Sequence, residues 1–376
     1  MATVGTFRAT DKMIDDVVDV LKSGRISYGP KCREFEHQIA TMHGCAHGVL
    51  SNSGTSSLQV ALQTLKEIHG WQDGDEIIVP ALTFVATVNI VLHCGLKPVL
   101  VDIEPRHYGI NPDLIEYAIT ERTRCIIPVH LFGRPCRIMD VCDIARKHNL
   151  KVIEDSCESM FVGKVGSWGD IGCFSFYVAH LLTCGIGGMS VTNNNKYATY
   201  MRSLVNHGIA WDNMPTGQEY DPTFLSRKFR FNKVGHSFRI TELEAAIGLS
   251  QLESVGDMMH KRAENVAYLY QGLQHLGELK LTSEPTEPHM MFPIVLSHFK
   301  WEMMQHLNNR GIETREMLPL TNQPCYRFCE ADYPIAKLVN ECGYYVGCHQ
   351  DMTTEELDNI INAHKEFYSK RYDSHI

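Results

Sequence analysis

The sequence predicts an α/β fold: a mostly parallel central sheet with helices on both faces, followed by a smaller C-terminal α/β domain. Three observations carry this. Short apolar, β-branched runs alternate with helical stretches from about residue 48 to residue 155. Those runs are continuously apolar, as strands buried on both faces are. From about residue 255 the pattern changes to long helices with isolated short strands. The expected domains are therefore 1–254, which includes an N-terminal helical segment, and 255–376.

The elements follow in order. Asp11 to Ser23 places Met13, Val17, Val18, Val20 and Leu21 around a polar face, and Gly24 ends it, which predicts a capped amphipathic helix. Lys31 to His43 repeats the pattern. Gly48-Val49-Leu50 reads as a strand and Ser56 to Ile68 as a helix. Glu76 to Pro80 is strand-like, and a helix runs through 86–92. Strands are then expected at 97–102, 125–130 and 151–155, with helical material between them. Ligands of such sheets sit beyond the carboxyl ends of the strands. Further on, helices are expected at Thr241 to Val255, at about Met258 to Leu276, and near 301–310 and 354–369. Met291 to Leu296 reads as a strand.

Composition bounds the function. The chain has 376 residues, 44% hydrophobic and 21% charged, which is the profile of a soluble globular protein. A net charge of -9 provides no electrostatic footprint for nucleic acid. No apolar run approaches the ~20 residues of a membrane span, and Met1-Ala2-Thr3-Val4-Gly5-Thr6 does not read as a signal peptide. A cytoplasmic location is expected. The 13 cysteines are scattered and odd in number, as suits a reducing compartment. Cys325, Cys329, Cys342 and Cys348 lack a CxxC pair, so they read as structural thiols rather than metal ligands.

Several residues stand out on chemical grounds. Gly54-Thr55-Ser56 follows a strand and opens a helix. Free N–H groups, the helix dipole and two hydroxyls make that an anion site, although Ser/Thr before a helix is commonly just an N-cap. Asp155 ends an apolar strand, where a carboxylate can also serve as a turn cap. Phe84, in Pro80-Ala81-Leu82-Thr83-Phe84-Val85-Ala86-Thr87, reads by itself as a core aromatic. His180 precedes a glycine-rich loop, Gly185-Ile186-Gly187-Gly188; its imidazole takes and gives protons near neutral pH.

The stretch Gly169-Asp170-Ile171-Gly172-Cys173-Phe174-Ser175-Phe176-Tyr177-Val178-Ala179-His180 resembles the cofactor-anchoring segment of the DegT/DnrJ/EryC1/StrS family, the pyridoxal-phosphate (PLP) sugar aminotransferases. Asn52-Ser53-Gly54-Thr55 resembles the family's phosphate-cradling Ser-Gly-Thr. Gly235-His236-Ser237-Phe238-Arg239 is similar to its Gly-Tyr-Asn-x-Arg stretch. The likeness runs from Ser27-Tyr28-Gly29-Pro30 to Gly311-Ile312-Glu313-Thr314-Arg315 and is most specific over residues 50–190. It implies the aspartate-aminotransferase-like fold (fold type I). It also implies that Gly54, Thr55, Ser56 and Ser175 hold a phosphate and that Phe84 stacks on the cofactor ring. Asp155 would pair with the pyridine nitrogen and Glu158 would reach the 3-hydroxyl. Ser237 stands where the family asparagine reaches the neighbouring subunit's phosphate. Arg239 either serves the partner's cofactor or only caps and packs. Two-chain sites of this kind imply a homodimer with shared active sites.

The decisive departure is His180, which aligns with the lysine that carries PLP covalently in most of the family. An imidazole cannot form that bond. A minority branch, similar to nucleotide-sugar 3-dehydratases, has this exchange and often reads Ala-His-His; here the motif is Ala179-His180-Leu181. The resemblance therefore implies non-covalently bound pyridoxamine phosphate (PMP) or PLP and a nucleotide-linked 4-keto-6-deoxy sugar, with glutamate as amino donor. The expected reaction is C3 dehydration with His180 as proton-transfer base. Two rivals are amino transfer by PMP without a lysine link, and a non-catalytic PLP-fold protein. Lys164, Lys228 and Lys233 have no motif-supported claim to replace the missing lysine. His207, His236, Arg315 and His349 are candidate substrate contacts, although residues of these types are more often ordinary surface or structural ones.

Overall fold

Seven strands form the larger sheet of the computed structural model, which describes residues 1–210, 230–276, 279–280, 287–317, 320–327 and 332–373. The strands are β1 (His47–Ser51), β2 (Glu76–Pro80), β3 (Lys97–Val101), β4 (Thr123–Ile126), β5 (Lys151–Asp155), β6 (Ile171–Ser175) and β7 (Gly188–Thr192). Their order across the sheet is β1-β7-β6-β5-β4-β2-β3. Only β7 runs against the others, pairing antiparallel with both β1 and β6. The carboxyl ends of β1, β2, β5 and β6 therefore open on one edge of the sheet.

The helices that surround the sheet start and stop on local signals. In α1 (Asp11–Ser23) the Thr10 side chain accepts from the Met13 N–H, and Gly24 ends the helix at φ 68°. α2 (Pro30–Met42) begins on proline, whose missing N–H costs nothing in a first turn. α3 (Gly54–His69), α4 (Ala86–His93), α5 (Pro112–Ala118), α6 (Ile138–Lys147) and α7 (Asn195–Val205) connect and flank the strands. α8 (Glu242–Leu252) is opened by a capping box between Thr241 and Glu244 and packs on α1 and α2. The helix expected to reach Val255 breaks at residues 253–254, and α9 (Val255–Leu273) begins there. The strand expected over 125–130 stops at Ile126. Pro128 has no N–H to extend the ladder, and Val129 makes only an isolated bridge to Asp155.

A second, antiparallel sheet has the order β10-β11-β9-β8. Its strands are β8 (Leu279–Lys280), β9 (Met291–Leu296), β10 (Thr314–Glu316) and β11 (Gly343–Gly347), with helices α10 (Lys300–Asn309), α11 (Pro334–Cys342) and α12 (Thr354–Asp373). Strand β9 is buried at every position, yet its side chains divide by the two-residue period. Phe292, Ile294 and Leu296 join one core with Leu269 and Leu273 of α9 and Ile360 of α12, whereas Met291 and Val295 join the core of the larger sheet. In β11, Tyr344 and Val346 face the first core and Tyr345 the second. One face of the small sheet thus becomes a wall over the edge of the large one. Among the described residues, no helix is long and apolar enough to cross a membrane.

Candidate active site

A cavity of about 510 Å³ lies between that wall and the carboxyl edge of the large sheet. Its floor begins where β1 turns into α3. Ser53 caps the helix by accepting the Ser56 N–H at 3.1 Å, which leaves the dipole of the first turn pointing at the cavity. Gly54 is required by close approach: a Cβ there would stand 2.7 Å from Cβ of Ser175 and 2.8 Å from Sγ of Cys157. Gly54, Thr55 and Ser175 line the cavity together and form an anion-receptive corner. Ser56 does not line it. Its hydroxyl donates to Oδ1 of Asn52 at 2.7 Å and lies 3.0 Å from the Ser53 hydroxyl, so it locks the cap.

Asp155 reaches the cavity from the end of β5 and is buried. Its Oδ2 accepts from the Thr87 hydroxyl at 2.9 Å and its Oδ1 from the Cys157 N–H at 3.3 Å. Burial raises its pKa, against the pull of these donors. Glu158 accepts the Phe132 N–H at 2.9 Å; burial pushes its carboxyl up to about 7, and the charge of Asp155 adds to the rise. Phe84 is no core residue. Its side chain is 54% exposed and lines the cavity, an arrangement that suits a ring waiting for a flat partner.

His180 completes the site from the loop between β6 and β7. Leu181 and Leu182, both buried, anchor the loop, and Gly185 and Gly187 return the chain at φ 81° and 143°. The side chain of Gln251 holds both the N–H and the C=O of Thr183. Nδ1 of His180 is sealed from solvent, and the Ser175 backbone beside the ring favours its charged form against the larger effect of burial. Burial depresses the imidazole to about 4, so it is neutral, with a free lone pair, at ordinary pH.

The opposite wall was largely missed from sequence: Met290, Met291, Arg315, Glu316 and Tyr345 line the cavity. Strand β9 gives no alternation that would have marked Met291 as facing a site. Arg315, a candidate contact on sequence grounds, pairs with Glu313 at 2.8 Å. His207, His236 and His349 do not line the cavity. They bond Arg239, Gln63 and Thr3 respectively. Ser237 is exposed, accepts from Arg239 at 3.1 Å, and lines a separate cavity of about 560 Å³ with Arg202 and Arg239. Among the described residues no lysine lines the cavity of Asp155 and His180. Lys164 stands exposed in a turn, Lys233 lies over the Tyr200 ring at 4.2 Å, and Lys228 is outside the described residues. Cys325 is exposed and Cys348 buried; Cys329 is outside the described residues. No group of three metal-ligating side chains gathers among the described residues.

The model of the DegT/DnrJ/EryC1/StrS aminotransferase family matches residues 8–365. The chain belongs to this family. It is thereby a PLP-dependent enzyme of the class that comprises nucleotide-sugar aminotransferases and dehydratases. GDP-perosamine synthase of Caulobacter vibrioides is 35% identical over 88% of each chain. The dTDP-4-dehydro-2,6-dideoxy-D-glucose 3-dehydratase of Saccharopolyspora spinosa is 31% identical over 95% of this chain and 85% of its own. Among solved structures, GDP-4-keto-6-deoxy-D-mannose-3-dehydratase of E. coli superposes with a TM-score of 0.87 over 96% of this chain and 99% of that one; at 24% identity this shows the shared fold. An aminotransferase from Psychrobacter cryohalolentis gives a TM-score of 0.86 at 26% identity over 96% and 98%. The expected fold type is thus the observed one.

Proposed function

We propose that this family member removes the C3 hydroxyl of a nucleotide-linked 4-keto-6-deoxy sugar, using PMP or PLP that it holds without a covalent link. The observation that carries this reading is the cavity itself, in which His180 faces the same space as Asp155 and no described lysine does.

The residues present fit the cofactor. Gly54 leaves room that a Cβ would fill, and the start of α3, the Thr55 hydroxyl and Ser175 suit a phosphate. Asp155 suits a protonated pyridine nitrogen, Phe84 one ring face and Glu158 the 3-hydroxyl. When bound, the cofactor supplies an electron sink and an amine that reacts with the sugar ketone. The chain supplies the rest. Asp155 keeps its partner charged because Thr87 and the Cys157 N–H hold it in place. Glu158, poised near neutrality, can share a proton with a hydroxyl. His180 enters neutral and accepts a proton at Nε2, the nitrogen that is not sealed. The cation so formed is costly in a dry pocket and therefore readily returns the proton to a departing hydroxyl.

Amino transfer is the second reading, and the 35% identity to a perosamine synthase favours it. In either case a homodimer is proposed, with Ser237 and Arg239 offered to the partner's site and glutamate as the amino donor. The deciding experiment incubates the protein with PMP, glutamate and a panel of GDP- and dTDP-linked 4-keto-6-deoxyhexoses and follows the sugar by mass. Loss of water supports dehydration. Conversion of ketone to amine supports transfer and sinks the dehydratase reading.

A further inference from the structure

We infer that residues 2–5 form a strap that sets the separation of His180 and Arg315 across the cavity, with Gly5 and Glu313 as its positioning residues. This rests on the reading of His180 as the proton-transfer base.

One end of the strap is built into the small sheet. The Ala2 N–H donates to the Gly311 carbonyl at 3.0 Å, and the Glu313 N–H donates to the Ala2 carbonyl at 2.8 Å. The Val4 N–H then donates to Oε2 of Glu313 at 2.9 Å. Oε1 of the same carboxylate accepts from Nε of Arg315 at 2.9 Å and from Nη2 at 2.8 Å. A main-chain group of the strap and a cavity-lining guanidinium are thus held by one side chain. Thr3 passes close against Gly347, where a Cβ would collide with its carbonyl. Ala2 and Val4 are 2% and 1% exposed, so the strap is packed into the two cores rather than laid on the surface.

The other end meets the catalytic loop. A Cβ on Gly5 would stand 2.9 Å from Cα of Ala179 and 3.3 Å from the Val178 carbonyl oxygen. Both are backbone atoms, which cannot rotate out of the way. Ala179 immediately precedes His180. Buried Leu181 and Leu182 anchor the loop just after His180, and Gly5 abuts it just before. Proton transfer needs the base within hydrogen-bond reach of the proton, and a displacement of about 1 Å can cost on the order of 10²-fold in rate. A strap that touches the wall with Arg315 and the loop with His180 controls that distance. Paired with Glu313, Arg315 has its charge offset and acts as an oriented donor toward sugar oxygens rather than as a free cation.

The test uses Gly5→Ala, which pushes on the loop, and Glu313→Gln, which keeps the shape but weakens the hold on Arg315. Three quantities are read on the full chain: Tm, PMP affinity by fluorescence titration, and the imidazole ¹⁵N signal of His180, assigned by its loss in His180→Asn. Turnover is measured with whichever sugar of the panel reacts. For Gly5→Ala the expectation is PMP affinity within about twofold of wild type, a moved His180 signal, and kcat reduced by about tenfold or more with KM little changed. For Glu313→Gln, KM should rise more than kcat falls. An unmoved His180 signal in Gly5→Ala overturns the inference. So does a loss of turnover that merely follows a fall in PMP affinity or folded fraction. If the wild type transforms no sugar of the panel, the proposed reaction fails, and the His180 signal still decides the strap.

Discussion

Thr87 donates its hydroxyl hydrogen to Oδ2 of Asp155 across 2.9 Å, and its own oxygen lies 2.9 Å from the Thr83 hydroxyl. Thr87 sits in the first turn of α4, and its N–H bonds back to the carbonyl of Phe84. A single helix start therefore places the buried carboxylate and the exposed ring that share the cavity. Asp155→Asn keeps the shape and removes the charge. PMP affinity should fall modestly and turnover by about 100-fold or more, in line with the loss of a preorganised charge at a reacting group. Unchanged turnover would remove Asp155 from the proposed chemistry.

His180 is expected to separate binding from reaction. In His180→Asn, PMP titration should resemble the wild type while turnover drops by roughly 10²–10⁴-fold, the usual contribution of a positioned general base. His180→Lys should instead capture PLP covalently, so that borohydride fixes the label on residue 180 and gel filtration no longer removes it. Capture at any other residue of the wild type would contradict a non-covalent site.

Two partly buried groups give the cofactor-free protein opposite pH dependences. Glu158 is raised from 4.5 to about 7. Its contribution is fully present below the unfolded value and lost as pH rises through 7. His180 is lowered from 6.5 to about 4, so its contribution is present above 6.5 and lost as pH falls toward 4. Glu158→Gln should accordingly gain Tm relative to wild type as pH is raised from 5 to 8, whereas His180→Asn should gain as pH is lowered from 7 to 4. Thermal melts across that range check both signs.

Gly54 is tested by addition of one carbon. Gly54→Ala would set a methyl 2.7 Å from Cβ of Ser175 and 2.8 Å from Sγ of Cys157, so either these side chains or the start of α3 must shift. A destabilisation of about 1–3 kcal/mol is expected from such overpacking, together with weaker binding of PMP. Urea denaturation and fluorescence titration measure the two effects. A variant that binds PMP as tightly as wild type would show that the close approach at Gly54 has no bearing on the phosphate.

Much of the larger sheet was legible because its strands and helices are specified within short windows. Runs such as Glu76–Pro80 are buried on both faces, and Thr10, Ser53 and Thr241 announce helix starts by their own side chains. The order of elements then placed Gly54 and Asp155 at strand ends. Motif likeness supplied Phe84, Ser175, His180 and Glu158. Strand limits near Pro128 and the break after Leu252 were not legible, because each depends on whether a neighbouring strand or helix accepts the backbone there.

By itself, then, the sequence determined the α/β class, the family and the side of the cavity that carries Asp155 and His180, since the first rests on backbone hydrogen bonding over short windows and the others on motifs of a few residues. Only the tertiary structure decided the opposite wall. Met291 and Tyr345 belong to strands buried throughout, and Arg315 becomes part of the site only when the small sheet closes over the large one. It also diverted the Ser56 hydroxyl to Asn52, put Ser237 in a different cavity, and drew residues 2–5 against the loop of His180. Contacts between residues hundreds of positions apart are set by the packing of whole faces, and no local pattern of residues encodes them.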